Sequence, residues 1–344
     1  MQFGVILTVV SSIFLALTMM ADKLMVGDFY QNNPKLAWVI SSVAGSTIGL
    51  LATILLWLHL GLVETFTTFI EISSGFFYLG LYCVLAGILS TLTLRCYFKL
   101  MSEDMVSASV SIAVASTPIF IFLGQVMSQN QSFTIEHLIS FLIAISGLVF
   151  YEYISNPHVS VNIFRTGPFI VGVILLGTAY VLLLDEIFIV TDSYNQWHQN
   201  SIVAILLPYY WLGLGLGFLY LFQKDIKNTI VYIFKRKKFI YIVLILETIG
   251  AGFFFFEFFG LSKISATLVA LIIGAHVIFV WLFDLYISYA YHKANTAGKS
   301  EVQIHFFKVP TINLTAYNNT KKTHLMQFLS IILVLVGLWF WPEN

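Results

Sequence analysis

Glu247 and His276 are the residues of this chain best placed to do chemistry in an apolar setting. Glu247 sits in Leu244-Ile245-Leu246-Glu247-Thr248-Ile249, and His276 in Ile273-Gly274-Ala275-His276-Val277-Ile278. A carboxyl and an imidazole so placed can hydrogen-bond each other, or both can face a watery cavity. Burial and direct pairing act on their titrations in opposite senses, so either group can exchange protons near neutrality. The pair reads as a substrate or proton site, in which Glu247 takes an ammonium group or a proton and His276 tunes it. The blander alternative is a structural polar contact between two helices.

Other ionisable residues sit within one or two helical turns of the ends of apolar segments: Asp22, Lys23, Lys99, Asp185, Glu186, Glu257 and Asp284. Long side chains there can reach water, which is reason enough for their presence. The functional alternative makes Tyr97, Lys99, Glu257, Asp22, Asp185 and Asp284 gate or pathway residues. Pro118 lies inside an apolar segment, where it frees a backbone carbonyl and can serve as a hinge. Hydroxyls cluster nearby at Ser90, Thr91, Thr93, Ser107, Ser109, Ser111, Ser116 and Thr117. Close helix packing explains these as well as a cavity lining does. The run from Phe253 to Phe259 around Glu257 is an aromatic gate or, more blandly, a lipid-facing surface.

No catalytic set emerges. The chain has no phosphate-binding glycine loop, no Gly-x-Ser-x-Gly and no histidine-rich metal motif. Neither an enzyme, a cofactor nor a metal is expected. Cys83 and Cys96 are 13 positions apart in one apolar segment, so they cannot bridge each other. His59, His137 and His324 read as interfacial.

The elements that must position these residues follow from composition. The chain is 59% hydrophobic and 10% charged, with zero net charge. Soluble domains are about a quarter charged, so this is not one, and nothing in the balance suggests nucleic acid as a partner. A bilayer crossing needs about 20 apolar residues. Ten such spans can be drawn, at 3–27, 36–60, 76–100, 104–127, 135–155, 167–190, 201–222, 238–260, 263–288 and 323–342. The first reads as a retained helix rather than a signal peptide, because it lacks a basic start and runs too long. Spans eight and nine form a tight hairpin near residue 261. Glu247 and His276 lie 14 and 15 positions from that fold. Both are then about 20 Å deep at 1.5 Å per residue.

The chain also repeats itself. Tyr97-Phe98-Lys99 with Ser107-Ala108-Ser109-Val110 recurs about 158 residues later as Phe255-Phe256-Glu257 with Ser265-Ala266-Thr267-Leu268. The same shift places Pro118 opposite His276. Gly4 and Asp22-Lys23 recur about 163 residues on as Gly167 and Asp185-Glu186. Gly147-Leu148 in span five echoes Gly337-Leu338 in span ten. Five spans per repeat is odd, so the second half must enter the membrane upside down. The expected fold is all-α and integral to the membrane, with ten transmembrane helices in two inverted five-helix repeats. The repeats cover 1–157 and 165–344, with an extramembrane insertion at about 289–323.

Orientation follows from the basic residues. Sixteen of the 17 lysines and arginines fall in odd-numbered loops or at the adjoining helix ends, leaving Lys263 alone on the other side. The positive-inside rule then places both termini outside. Lys235-Arg236-Lys237-Lys238 reads as an anchor beside anionic lipid. Lys23 and Lys99 stand opposite Glu186 and Glu257 in the register; this reads either as positive-inside bias alone or as a basic-to-acidic gradient along a pathway for cationic or zwitterionic solutes.

The run Tyr97-Phe98-Lys99-Leu100, Ser107-Ala108-Ser109, Pro118 and Gly147, with its echo from Phe255 to His276 and Gly337, resembles the EamA-like ten-helix members of the drug/metabolite transporter superfamily. Nearly the whole chain outside the insertion is covered. Three departures stand out. The Gly-Glu that usually closes the fourth helix is Gly124-Gln125, with Asp284 near that position in the second half. His276 replaces a proline. The charges place the termini outside, where family members commonly have them in the cytoplasm. The resemblance implies a secondary transporter in a bacterial inner or plasma membrane, exporting a small polar or amphiphilic metabolite, amino-acid-like or cationic, by alternating access. Proton exchange through Glu247 would drive it. The expected partners are a small-molecule substrate and the lipid bilayer. Two alternatives remain open: a nucleotide-sugar or lipid-linked sugar carrier, and a non-transporting membrane protein or enzyme acting on lipid-linked substrates.

Overall fold

The computed structural model describes residues 2–24, 33–61, 77–102, 106–128, 134–155, 163–192, 199–224, 226–227, 230, 237–296, 301–304, 307–310 and 321–342. Each of the ten apolar segments forms helix. In chain order these are α1 (Gln2–Leu24), α2 (Pro34–Leu60), α3 (Phe77–Met101), α4 (Val106–Ser128), α5 (Ile135–Ser155) and α6 (Ile163–Asp192). Then come α7 (Gln199–Leu214), α8 (Lys237–Leu261), α9 (Ala266–Gly274), α10 (Val277–Thr296) and α11 (Lys321–Trp339). Eight stretches are long and apolar enough to cross a membrane; Ser116–Ser128 and Thr323–Trp339 are shorter apolar helices. The chain thus has the make-up of a multi-pass membrane protein.

Local chemistry explains several boundaries. The Asn33 side chain caps α2 by accepting from the Leu36 N–H, and Pro34 fills the first turn, where its missing N–H costs nothing. Span seven does not run as one α-helix to residue 222. It tightens into a 3₁₀ turn at Gly215–Tyr220. Ser42 of α2 is the cause: its hydroxyl donates to the Leu214 carbonyl and accepts from the Gly217 N–H at 2.9 Å. A side chain inserted into the backbone ladder, beside three closely spaced glycines, replaces the regular bonding.

Span nine is also broken. It divides into α9 and α10 at Ala275-His276, so His276 stands at a helix junction and not in mid-helix as expected. The turn continues through bonds from Ile278 to the Ala275 carbonyl and from Phe279 to the His276 carbonyl. Gly274 before the junction is a poor helix former. α10 continues through Thr296, so the first residues of the segment read as an insertion, 289–296, are helical. Beyond it, β1 (Glu301–Ile304) pairs antiparallel with β2 (Phe307–Pro310).

Two compact units result, and they cut across the two sequence halves. One comprises residues 1–132 and 159–273, the other 133–158 and 274–344. In the first unit, α1 lies antiparallel along α8: Gly4 meets Lys263 and Ile264, Thr8 meets Gly260, and Thr18 meets Gly250. Along α3 and α6, Cys96 meets Gly172 and Thr93 meets Gly177. Where α3 crosses α7, Gly87 and Gly213 let the backbones touch; a Cβ at either would strike the Tyr210 or Val84 carbonyl. Trp38 closes the base of α2 by donating 2.8 Å to the Thr91 carbonyl, with Arg95 over its ring. In the second unit, α5 and α11 are antiparallel and meet at Gly147 and Gly337. A Cβ at Gly147 would come 2.7 Å from the Ser330 carbonyl, and one at Gly337 2.5 Å from the Ala144 nitrogen. His137 of α5 sets its ring edge-on to Trp341 at 5.1 Å.

Candidate functional site

Among the described residues of the first unit, four carboxylates are buried, all on helices apolar enough to cross a membrane or at their ends. Asp22, Asp185, Glu247 and Glu257 are each under a tenth exposed. Asp22, Asp185 and Glu257 therefore do not reach water from helix ends, the bland role the sequence offered them. Glu257 shows why the linear position misled. It is one turn from the end of α8, but the α1–α8 register sets that part of α8 beside Ser11, halfway along α1. Ser11 donates to the Phe253 carbonyl at 3.0 Å.

The first site joins four helices. Glu247 of α8 accepts a 2.6 Å hydrogen bond from Ser41 of α2. Asp22, at the end of α1, accepts from the Tyr97 hydroxyl of α3 at 3.2 Å and lies within electrostatic reach of Glu247. Gly45, one turn along from Ser41, leaves room at the Glu247 carboxylate, since a Cβ there would stand 3.7 Å from its Oε2. Two acids that feel each other in an apolar bundle repel when both are charged, so a proton or a cation beside either one is favoured.

A second site surrounds Glu257. The Tyr180 hydroxyl of α6 reaches both carboxylate oxygens, at 2.8 and 2.9 Å. Tyr210 of α7 is in electrostatic contact with Glu257, but its hydroxyl donates to Ser90 of α3 at 2.9 Å.

The third site is structural in form. Gln125 of α4 donates 2.7 Å to Asp185 of α6, and its carbonyl oxygen accepts from the Thr267 N–H at 2.9 Å and from the Thr267 hydroxyl. The Ala266 N–H also serves Asp185. The first N–H groups of α9, which no intrahelical carbonyl can satisfy, are thus taken up by Gln125 and Asp185.

The residues expected from sequence are placed as follows. Asp22, Tyr97 and Glu247 come together. Glu257 and Asp185 head separate sites, since Tyr180, which serves Glu257, and Asp185 are five positions apart on α6, about 7.5 Å of helical rise. Lys99 is half-buried at the end of α3, and Pro118 is buried within α4. His276 is buried but belongs to the second unit, whereas Glu247 belongs to the first. Asp284 lies on α10, and its side chain falls outside the described residues, as do those of Ser107, Ser109 and Ser111. Sequence reasoning missed Ser41, Tyr180 and Tyr210. Their only signal was a polar atom in an apolar run. Among the described residues no three His, Cys, Asp or Glu side chains gather as a metal site.

No family model and no curated protein matches this chain.

Proposed function

We propose that the chain is a ten-span secondary transporter of the drug/metabolite type, moving a small cationic or amino-acid-like solute by alternating access coupled to proton exchange. The Asp22–Tyr97 and Glu247–Ser41 cluster carries this reading. It places two carboxylates, within reach of each other, among four apolar helices. A charge at the bilayer centre costs about 2.5–3.5 kcal/mol on insertion scales, and such groups earn their place in substrate or proton pathways.

Helix directions support the inverted five-plus-five arrangement. Under that scheme α2 and α7 are equivalent, as are α5 and α11, and an upside-down copy makes each such pair antiparallel. Both pairs have that register: Ser42 meets Gly217 and Trp57 meets Ala204, while Ser140 meets Phe340 and Ser155 meets Gln327. The partnering of α1 with α8 and of α3 with α6 is likewise interchanged by the same exchange. Two equivalent halves provide two arrangements about one pathway, which differential solute binding can bias.

Four buried acids favour a cationic or zwitterionic solute over a nucleotide sugar, whose phosphates would call for buried basic groups. The test is solute-driven proton movement in liposomes containing the purified protein and an internal pH dye, with amino acids, polyamines, cationic drugs and nucleotide sugars added in turn. The reading expects a proton flux with a cationic or amino-acid solute that Glu247→Gln abolishes. Absence of both proton and solute flux across the panel would overturn it.

A further inference from the structure

We propose that Glu257, Tyr180 and Tyr210 form a subsite for an organic ammonium group, separate from the Asp22–Glu247 cluster. The inference rests on the transporter reading and names where the cationic end of the solute sits.

The geometry begins with the carboxylate. A single Tyr180 hydroxyl stands 2.8 and 2.9 Å from the two Glu257 oxygens. Among the described residues, this single O–H, shared between the two oxygens, is the hydrogen bond that Glu257 receives. An ionised carboxylate takes up to about four such bonds, so accepting capacity is left over. The Tyr210 hydroxyl does not use it, being turned to Ser90. A buried acid in this state needs a positive charge brought to it, as a cation or as a proton.

Aromatic rings stand beside this carboxylate. Tyr210 packs against Phe254 and Phe258, with ring centroids 6.1 and 5.5 Å away. Those phenylalanines flank Glu257 on the same turn of α8. Phe188 meets Phe258 edge-on at 5.0 Å. Aromatic faces attract ammonium groups through the ring quadrupole, most strongly where water is excluded. A hydrated metal ion would find one hydroxyl and one carboxylate here, too few oxygen donors to replace its water. An ammonium group needs only the carboxylate and the rings.

The test uses wild-type protein in detergent, labelled with an apolar carbodiimide that reacts with buried protonated carboxyls. Labelled peptides are read by mass spectrometry. Phenethylammonium is the probe and 2-phenylethanol its neutral counterpart. The expected result is at least fivefold protection at Glu257 by the ammonium and none by the alcohol. In parallel, thermal stabilisation by phenethylammonium should vanish in Glu257→Gln and persist in Glu247→Gln, whose carboxyl belongs to the other cluster. Should Glu257→Gln not fold, the labelling result decides alone. Protection at Glu247 in place of Glu257 would overturn this subsite while leaving the transporter reading standing. Equal protection by the alcohol, or no protection at either acid, would also overturn it. Solute-coupled proton flux in liposomes reports separately on transport.

Discussion

Gln125 donates a 2.7 Å hydrogen bond to Asp185, 60 residues away, and through its carbonyl oxygen accepts from the Thr267 N–H in the first turn of α9. One neutral carboxamide thus joins α4, α6 and α9. A carboxylate cannot do the same job, because it has acceptors at both ends. Gln125→Glu should remove the donor, set two acids face to face and lower stability by about 1–3 kcal/mol, the cost of a buried polar group left unmet. Asp185→Asn restores a donor opposite the new acid. Melting temperatures of the two single variants and the double variant should show recovery in the double; additive losses would refute the pairing.

Packing at the helix crossings offers a sharper contrast between glycines. Gly213→Ala places a methyl against the Val84 carbonyl, a backbone atom that cannot move aside. The expected outcome is loss of folded, monodisperse protein in detergent. Gly45→Ala meets nothing closer than the Glu247 carboxylate oxygen at 3.7 Å. That variant should fold with a melting temperature within about 2 °C of wild type, corresponding to less than about 0.5 kcal/mol. Its effect should show instead in solute affinity, measured by ligand-dependent stabilisation. Equal expression and stability of the two variants would argue that the α3–α7 contact is not as close as described.

The helices were legible because each apolar run is long enough and is bounded by turn residues, and the Gly147 and Gly337 echo turned out to be the contact between α5 and α11. The polar sites were half legible. Glu247, Asp22 and Tyr97 drew notice as charged or aromatic residues in apolar runs. Their partners did not, because Ser41 is 206 residues from Glu247 and Tyr180 is 77 from Glu257. A serine in an apolar helix looks the same whether it packs against a backbone or serves a carboxylate. The breaks in spans seven and nine were hidden for a related reason. Ser42 acts on a carbonyl and an N–H in another helix, and hydropathy carries no trace of that.

The Asp22–Tyr97 bond separates a positioning role from a charge role. Tyr97→Phe keeps the ring that packs on Phe98 at 5.2 Å and removes only the donor to Asp22. The stability loss should be about 0.5–1.5 kcal/mol, since hydrogen bonds between membrane helices are individually weak. Asp22→Asn relieves the repulsion from Glu247 and should be neutral or stabilising. Proton-coupled flux, however, should fall at least tenfold in Asp22→Asn and only a few-fold in Tyr97→Phe. A large flux defect in both, with unchanged melting, would show that the hydroxyl itself takes part in transport.

Orientation provides the last test, because it decides which face each acid is nearest. Sixteen of 17 basic residues lie on one side of the ten-span scheme. Moving them across a bilayer is unfavourable, so that side is expected to be cytoplasmic. In a background with Cys83 and Cys96 replaced by alanine, Gln129→Cys and Arg236→Cys place single thiols in the fourth and seventh loops. A membrane-impermeant maleimide on intact cells should label the cysteine at 129 and spare that at 236, with both labelled once the membrane is opened. Asp22 then sits towards the cytoplasmic face and Asp185 towards the outer one, so protons would reach Asp22 and Glu247 from inside. The reverse labelling pattern would turn the molecule over and send protons to that cluster from outside. It would also set the basic run at Lys235-Arg236-Lys237-Lys238 against the positive-inside rule, and a chain with ten strictly alternating spans would no longer account for its charges.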